Sequence, residues 1–484
     1  MDLGRISEET LEEIKKAAAT GGITSSTGLN GIDLSPYVNL IPVNTPFFDE
    51  LPHETPEIGN TFAQWKAIIN VNNLQADPAT AFDYAAPLAL IQEIDVTAPY
   101  GKVGEGYTVT RDAIAIGRGY IDAKATAISN ALFQWKIGMD KKSLGGQRFA
   151  LVTPSGVTVT PLTTGGTIGA SVAIPVRVSA KTISNYFWGG GTIASTVVSP
   201  TSSAGTTNSA TAFVPAIRGA VAYDWFVNGF YYTTTITNTV TITSIPTANA
   251  VPPSLPGLYG TAPATVPAAD GSAKPNDFNG LLATLAGDYA TGGATGLVTP
   301  GSGVNSGAVF TSLDGATFTV TGQNVAELDA LNLSIFNSVQ LSPDEYLVSA
   351  QTASEISTAI MATAGGGTTF FTPSADGRSG AVAGAFVGFY ANKAAGGKLV
   401  AIKIMPNLPP GILIAKTNTV PFPNSNITNV LALRDLDPVY SYEYGSARLA
   451  GVAGGGPRED GETLTMTTLV NRAPVTMGVI YNIK

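Results

Sequence analysis

The clearest pattern of apolar and polar positions lies in residues 120–143 and predicts one long helix. Apolar residues recur there at steps of four and three, which places them on a single helical stripe: Ile121, Ala125, Ile128, Leu132, Trp135 and Met139. Asp122 near the start and Lys142 near the end complement the helix dipole, and Gly145-Gly146 supply backbone freedom for a C-terminal cap.

A helix of 24 residues is roughly 36 Å long and needs a large partner surface. Residues 107–116 alternate like a strand that leads into the helix, and the Thr- and Val-rich run 462–483 predicts further strands. We therefore expect Trp135 and Leu132 to be buried against a sheet built from this C-terminal run.

The chain before the helix predicts little globular structure. Ser7 can cap a short helix to residue 20, and residues 23–60 contain five prolines, which favour an extended arm. The apolar residues of the arm have no core of their own, so we expect them to lie on a neighbouring copy: Leu34, Tyr37, Val38, Leu40, Ile41, Phe47 and Phe48. Alternating residues at 61–69 and 107–116 bracket a long excursion and predict an extended two-stranded loop.

The composition changes after Pro154. Short alternating strands separated by turn residues predict an inserted β-sandwich over 155–250, followed by a Pro- and Ala-rich linker over 251–275. Tyr223 and Trp225 resemble a ligand platform, but an aromatic pair at strand spacing is better explained as the sandwich core.

Mixed elements return in residues 276–415. A helix over 325–338, a strand over 346–350 and strands over 398–405 and 412–416 predict a compact α+β domain. Thr352 and Glu355 have the spacing of a capping box that opens another helix.

Composition and charge narrow the function classes. The 484 residues carry a net charge of -9, which argues against a protein whose main task is binding nucleic acid. No cysteine is present, which excludes disulfides and thiolate metal sites, and only 13% of the residues are charged, as in proteins that associate through their surfaces. The sequence contains no signal-peptide pattern and no apolar stretch long enough for a membrane span, so we expect synthesis in a cytoplasm and no membrane contact.

Candidate catalytic chemistry is sparse. The single histidine, His53, lies between Pro52 and Glu54 in the arm and is better explained as a surface residue than as a general base. Asp435 and Asp437 beside Arg434 have the spacing of paired carboxylates or calcium ligands, but a solvated or ion-paired strand face explains them better. The glycine runs at 189–191 and 365–367 resemble phosphate-binding loops only in composition, and we interpret them as flexible loops. No catalytic residue, cofactor or metal site is predicted, and the chain is not expected to be an enzyme.

The order of these elements resembles a major capsid protein of tailed bacteriophages with the Hong Kong 97-type fold. The residues that carry the resemblance are the helix end 139–146 (MDKKSLGG), the turn 405–411 (MPNLPPG) and the strand set 463–483. The resemblance implies an α+β fold with the following segments: 1–60 N-terminal helix and N-arm, 61–110 E-loop, 111–154 peripheral domain with spine helix, 155–250 inserted immunoglobulin-like β-sandwich, 251–275 linker, 276–415 axial domain, and 416–484 return to the peripheral strands.

The same resemblance implies self-assembly as pentamers and hexamers into an icosahedral shell, with the protein located in the virion. The partners it implies are scaffolding, portal and decoration proteins, together with encapsidated DNA in loose contact only. Family members without a separate scaffolding protein carry a long cleaved N-terminal region, for which only residues 1–20 are available here. Lys66 and Lys102 lie at the base of the loop rather than its tip, so covalent crosslinking is not expected.

Two other classes stay open at this stage. A phage or bacterial surface-binding protein with a glycan-binding insertion would carry a secretion signal or fibre-like repeats, which the sequence lacks. An enzyme with an accessory sandwich domain is disfavoured by the missing acid and base residues.

Overall fold

A computed structural model describes residues 44–56, 59–71, 91–117, 122–255, 263, 265–291, 296–321, 324–363, 387–421, 427–445 and 458–484. The predicted helix ending at residue 20, the arm up to residue 43, the tip of the extended loop and the glycine run at 365–367 lie outside the described residues.

Within those ranges the chain is a mixture of helices and strands. The helices are α1 Pro46–Glu50, α2 Arg111–Gly117, α3 Ala123–Gly145, α4 Ile183–Trp188, α5 Leu281–Ala286, α6 Ala326–Val339 and α7 Ala350–Thr363, with 3-10 turns at Lys393–Ala395 and Pro474–Thr476. The strands are β1 His53–Glu54, β2 Phe62–Val71, β3 Ile91–Pro99, β4 Gly101–Thr110, β5 Thr158–Leu162, β6 Val176–Lys181, β7 Ser209–Phe213, β8 Ala222–Val227, β9 Phe230–Thr235, β10 Thr239–Ile242, β11 Asp288–Tyr289, β12 Leu297–Val298, β13 Val304–Asn305, β14 Val309–Ser312, β15 Val320–Thr321, β16 Asn324–Val325, β17 Glu345–Val348, β18 Phe389–Asn392, β19 Lys398–Ile404, β20 Leu413–Lys416, β21 Leu431–Gly445, β22 Arg458–Asn471 and β23 Gly478–Tyr481. The predicted α+β class is confirmed.

The long predicted helix is present as α3. Its N-terminus is capped by Asp122, whose carboxylate accepts hydrogen bonds from the backbone N–H groups of Lys124 and Ala125, each at 3.0 Å. Trp135 and Met139 are buried as expected, but Leu132 is 41% exposed. The expectation that Leu132 is buried is therefore wrong, because the buried side of the helix runs through Ala131 and not through Leu132.

Glycines at the end of α3 serve close packing. Gly146 has a φ of -58°, so it does not use the left-handed conformation expected of a C-terminal cap. A Cβ on Gly145 would lie 2.1 Å from Cβ of Ile183, and one on Gly280 would lie 2.5 Å from the carbonyl oxygen of Lys142. The helix end is thus pressed against α4 and against the chain that returns from the insertion.

A four-stranded sheet of order β1-β21-β22-β4 supports α3. Strand β4 ends at Thr110 and residues 111–117 form α2, so the predicted strand over 107–116 is wrong in its second half. The extended loop is instead bracketed by β2 and β3, which pair antiparallel from Phe62 with Pro99 to Val71 with Ile91.

A six-stranded sheet of order β14-β23-β20-β17-β19-β18 forms the α+β unit. Helices α6 and α7 cover one of its faces, and the predicted apolar side of α6 is confirmed, since Leu328, Leu331 and Ile335 are buried. The capping box at Thr352 is wrong: α7 begins at Ala350, and the Ser349 hydroxyl accepts the hydrogen bond from the Thr352 backbone N–H at 3.2 Å.

The C-terminal run is divided between the two large sheets. Strand β22 lies in the sheet under α3, whereas β23 pairs with β14 and β20 in the six-stranded sheet. Only β22 therefore contributes to the sheet expected beneath the long helix.

The region 151–245 is built as two facing antiparallel sheets of three strands, with orders β10-β7-β5 and β6-β8-β9. Residues of both sheets share one apolar core, and Tyr223 and Trp225 are fully buried in it, so their assignment to the core is confirmed. Ile183 and Tyr186 of α4 belong instead to the main core together with α3 and α5, so the sandwich is packed firmly onto the rest of the chain.

A buried ion pair lies on the β6-β8-β9 sheet. Lys181 Nζ is 2.9 Å from Asp224 Oδ2, and both side chains are almost fully buried. The Thr234 hydroxyl donates to Asp224 Oδ1 at 2.6 Å. Burial raises the pKa of Asp224 against the lowering effect of the Lys181 charge. Lys181 and Asp224 therefore neutralise each other inside a nearly uncharged region.

We predict that Met139→Ala lowers the free energy of unfolding by about 2–5 kcal/mol, because Met139 is 1% exposed and lies in the main core. Leu132→Ala, on the same helix, should cost less than about 1 kcal/mol. Urea denaturation of both variants measures the difference, and equal losses would contradict the assignment of the buried side.

We predict that Lys181→Met costs about 3–5 kcal/mol at neutral pH, because it leaves the Asp224 carboxylate buried without its counter-charge. The double variant Lys181→Met/Asp224→Leu should recover much of that loss in the same denaturation measurement. A double variant that is as unstable as the single one would contradict the pairing argument.

Candidate assembly interface

In the described part of the chain no group of three His, Asp or Glu residues is placed to hold a metal ion. Asp435 is buried and pairs with His53, which fits the predicted ion-paired strand face, while the backbone oxygen of Asp437 accepts from the Thr465 hydroxyl at 2.9 Å. One group of titratable side chains in the described residues surrounds a short segment, residues 45–54.

Helix α1 seats this segment on the long helix. Phe47 is fully buried and Phe48 is 8% exposed, and the Phe48 ring packs edge-on against Trp135 with centroids 5.7 Å apart. The backbone N–H of Phe48 donates to Asp140 Oδ1 at 2.8 Å, so a carboxylate of α3 fastens the start of α1. The expectation that Phe47 and Phe48 lie on a neighbouring copy is wrong, because they fill the core of their own chain.

Asp140 is the buried acid of this junction. Burial raises its pKa, against the lowering effect of hydrogen bonds from the Asn407 side chain and the backbone of Phe48. The Asn407 amide donates to Asp140 Oδ2 at 2.7 Å. One carboxylate therefore joins α1, α3 and the turn that precedes β20.

Glu50, at the end of α1, binds the six-stranded sheet. Its two carboxylate oxygens lie 2.8 Å from Lys416 Nζ and 3.0 Å from Lys403 Nζ, and Glu345 contacts the same two lysines. Burial raises the pKa of Glu50, but the hydrogen bonds and charges of Lys416 and Lys403 outweigh it, so the pKa is lowered. Because Lys416 is itself buried, this is a tight contact and not a solvated surface pair.

Strand β1 attaches the same segment to the other large sheet. It pairs parallel to β21, with His53 opposite Leu433 and Glu54 opposite Arg434. Glu54 forms a bidentate contact with Arg472 Nη2 at 2.9 and 2.7 Å. Burial raises the pKa of Glu54, but Arg472 and Arg434 outweigh it and lower the pKa overall.

His53 has a specific partner within this attachment. Its Nδ1 lies 2.6 Å from Asp435 Oδ2, and its ring packs edge-on against Phe48 at 5.3 Å. The hydrogen bond to Asp435 raises the pKa of His53 against the effect of burial. The side chain remains 46% exposed, as expected of a surface residue, but it is held in place.

The β2-β3 ribbon is a second feature of this surface. Its base is fixed where the Trp65 indole N–H donates to the carbonyl of Asn471 at 2.9 Å and the Ile68 N–H donates to the carbonyl of Arg472 at 2.9 Å. A two-stranded ribbon is marginally stable by itself in water and gains from a further partner. Lys66, near the base, is exposed and lies 3.5 Å from Glu93.

Exposed apolar side chains are the third feature. At the β18 edge of the six-stranded sheet, Phe389 is 63% and Leu399 62% exposed. Phe389 pairs with Ala401 and Ala391 pairs with Leu399, so all four side chains share one face, opposite the face buried by α6 and α7. On β21 the alternating Tyr440, Tyr442 and Tyr444 are also exposed, as are Leu132 and Phe133 on α3.

Two glycines of the run at 189–191 are closely packed. A Cβ on Gly190 would lie 2.7 Å from the Asn185 side-chain nitrogen, and one on Gly191 would lie 2.7 Å from the Ser179 hydroxyl. Gly189 has open space around it and a φ of 80°, which favours glycine. The interpretation of this run as a flexible loop stays a prediction.

The contacts of residues 45–54 do not follow from the hydrophobic pattern of the sequence. Asp49, Glu50, His53 and Glu54 place four titratable residues within six positions of a chain that is only 13% charged. That density was a usable signal for ion pairing. No comparable signal identified Asp140, because a single acid on a long helix is usually solvated.

No family model and no curated protein sequence matches the chain. Solved structures similar to it include the cyanophage A-1(L) capsid asymmetric unit, at 10% identity, 95% of this chain, 98% of that chain and a TM-score of 0.45. The capsid of the native GTA particle is similar at 7% identity, 97% of this chain, 99% of that chain and a TM-score of 0.41. The holo-SrpI encapsulin complex from Synechococcus elongatus PCC 7942 is similar at 10% identity, 93% of each chain and a TM-score of 0.36.

These structures include the class of protein that the sequence resemblance named. At such identities and TM-scores the likeness concerns the fold alone. Among the described helices, none has the length and apolarity to cross a membrane.

We predict that the sole histidine titrates above its ordinary pKa of 6.5, because Asp435 favours its charged form. The contribution of this pair to stability is then full below about pH 6.5 and is lost as the pH rises through the folded-state pKa of His53. NMR of the full chain labelled at histidine gives the midpoint directly. Asp435→Asn should lower that midpoint and Asp437→Asn should leave it in place, and an unchanged midpoint in Asp435→Asn would contradict the assignment.

Proposed function

We propose that the chain is a structural shell subunit, the major capsid protein of a tailed bacteriophage. In this role it assembles as pentamers and hexamers into an icosahedral shell around the genome. The observation that carries the proposal is the apolar end of the six-stranded sheet, which is exposed among the described residues: Phe389 on the edge strand β18 and Leu399 on β19 lie on the face opposite α6 and α7. Exposed apolar surface joined to an unpaired strand edge is what a subunit needs to bind copies of itself.

Other features of the described residues support the same role. The β2-β3 ribbon extends from a small base, and the exposed tyrosines of β21 lie on a second sheet. Several of the described ion pairs join residues 45–54 to the rest of the chain, and only 13% of all residues are charged, which suits surfaces that contact neighbours. These ion pairs hold segments of the chain together, which favours a structural role over a catalytic one.

The finer points of the proposal follow from this role. Residues 1–43 act as an arm on neighbouring copies, residues 62–99 act as the extended loop, and the sandwich lies on the outer surface of the shell. Scaffolding, portal and decoration proteins are its further partners, and it resides in the virion after synthesis in the host cytoplasm.

Electron microscopy of the purified full-length chain tests the proposal, and we expect closed shells of uniform diameter. Leu399→Asp should abolish the shells and leave the stability of the folded subunit close to that of the parent, because the Leu399 side chain is 62% exposed. Val251→Asp is the matched control, since Val251 is 87% exposed and stands away from the sheet edge, and this variant should still assemble. Shells formed equally by all three proteins would exclude this surface as the contact, and a chain that stays monomeric in all conditions would overturn the function.

A further inference from the structure

The C-terminal end of the long helix carries a cluster of lysines and aromatic rings. Lys141 Nζ lies 4.6 Å from the centroid of the Phe187 ring, and the Trp188 ring is approached by Lys142 Nζ at 5.6 Å and Lys274 Nζ at 5.1 Å. Trp188 is 45% exposed, whereas the other three tryptophans of the chain are at most 6% exposed. These five residues, the Trp188 cluster, form a positive surface around an exposed indole.

Buried acids neutralise this cluster only in part. Lys142 pairs with the buried Asp277 at 2.8 Å, whereas Lys274 forms no ion pair within the described residues. Burial and the charge of Lys142 lower the pKa of Lys274, against the charge of Asp277. Burial also lowers the pKa of Lys141, against the charge of Asp140. Carboxylates placed beside these lysines would offset the cost of burying positive charge.

A cleft between α3 and β4 adjoins the Trp188 ring. The indole N–H of Trp135 is buried in its wall and has no hydrogen-bond partner among the described residues. A Cβ on Gly138 would meet nothing within 4 Å, so the helix side of the cleft is open. The exposed Glu105 also lines the cleft and would repel an acidic segment that binds there. The cleft thus has room and an unused donor, together with one charge that can be removed as a test.

The densest run of acidic residues in the sequence lies near its start, outside the described residues. Glu8, Glu9, Glu12 and Glu13 place four carboxylates within six positions, and no other six-residue stretch of the chain holds as many. In the helix predicted to end at residue 20 these positions fall on one side, since residues four apart are neighbours on a helix. The run therefore has the charge and the shape to complement the Trp188 cluster.

The described chain begins at the same end of α3. The backbone carbonyl of Asn44 accepts a hydrogen bond from the Asn407 amide at 3.5 Å, and that amide also donates to Asp140, the residue before Lys141. The 30 residues 14–43 connect this point to the acidic run and can span up to about 100 Å when extended. A helix with its side chains is only about 10–12 Å across, so the connection is long enough to reach round α3.

We propose that the acidic run of residues 8–13 docks on the Trp188 cluster of its own chain in the unassembled subunit. Its carboxylates lie at Lys142 and Lys274, and Leu11, which borders the acidic side of the predicted helix, covers the Trp188 ring. Because both partners belong to one chain, the effective concentration is high and individually weak ion pairs suffice.

This contact would hold residues 1–43 back from neighbouring copies until a shell forms. Only that consequence rests on the proposed function, since the docking itself is a property of the single subunit. The inference thus assigns a regulatory contact to a segment whose proposed role in the shell is to bind other copies.

Acrylamide quenching of tryptophan fluorescence tests the contact in the full-length chain, kept unassembled and isolated by size exclusion. The quenched signal reports mainly Trp188, because the other tryptophans are buried. Replacing all four acids of the run with glutamine should remove the protection of Trp188 and raise its quenching constant. The matched control is Lys15→Gln/Lys16→Gln in the same predicted helix, which should leave Trp188 as protected as in the parent.

A synthetic peptide of residues 1–20, added to the four-glutamine variant, should restore the protection in a saturable manner. Lys274→Gln in that variant should weaken the affinity for the peptide about fivefold, because one ion pair is lost. Glu105→Gln should strengthen the affinity, because it removes a like charge from the cleft. Opposite effects of these two variants identify the cluster even where one of them disturbs local packing, and added salt should weaken binding.

Three outcomes would overturn the proposal. Equal quenching in the parent and the four-glutamine variant would show that the run does not cover Trp188, and an equal loss of protection in the lysine control would show that its acids are not the cause. Protection that rises with protein concentration would assign the contact to a second copy. Because shells are scored separately by electron microscopy, failure here would leave the proposed assembly untouched.

Discussion

The seating of residues 45–54 is the constraint on which the described structure depends. This short segment contacts three separate parts of the chain: α3 through Phe48 and Asp140, the six-stranded sheet through Glu50, and the β21-β22 sheet through His53 and Glu54. Direct contacts also join these parts, since Lys124 of α3 pairs with Glu443 of β21 and Glu459 of β22, and one apolar core contains residues of α3 and of both sheets. The segment 45–54 adds hydrogen bonds and ion pairs to that core and so helps to fix the two sheets and the long helix in one relative position.

The ion pairs of residues 45–54 explain why this segment is rich in charged residues in a chain that has few of them. Glu50 and Glu54 both have pKa values lowered by their lysine and arginine partners, so they stay ionised over a wide range of pH. Each carboxylate bridges two cations. The Lys416 ammonium also lies 5.9 Å from the centroid of the buried Phe47 ring, so the Glu50 pair borders apolar packing. The ion pairs add directional contacts, which hydrophobic burial by itself does not supply.

Much of the architecture was predictable because it follows from local periodicity. The long helix, the apolar side of α6, the strands on either side of the 405–411 turn and the sandwich core at Tyr223 and Trp225 all arise from patterns of two or 3.6 residues. The errors have a different origin. Leu132 lies in the row of apolar positions along α3 and yet is exposed, because the buried side of the helix does not include every position in that row. Thr352 has capping-box spacing, but Ser349 lies one turn closer to the start of the helix.

Contacts between residues far apart in the chain could not be predicted from hydrophobic periodicity. Periodicity in the Thr- and Val-rich C-terminal run predicts strands but cannot assign β22 and β23 to different sheets, since that choice depends on β4 and β14, which lie more than a hundred residues away in the chain. The same limit applies to residues 45–54, whose prolines correctly exclude a long helix and say nothing of where an extended segment lies.

The exposed side of α3 follows from the same geometry. With α1 and the sheet taking the side of Trp135 and Met139, Leu132 and Phe133 have no partner of their own among the described residues that would bury them. The helix thus shares its apolar residues between two directions, one that closes the subunit and one that remains open to solvent. A helix whose whole stripe were satisfied internally would have no apolar surface left for a neighbour. Apolar residues therefore lie on more than one side of α3, as expected when the core of a subunit and its contact surfaces are built from the same elements.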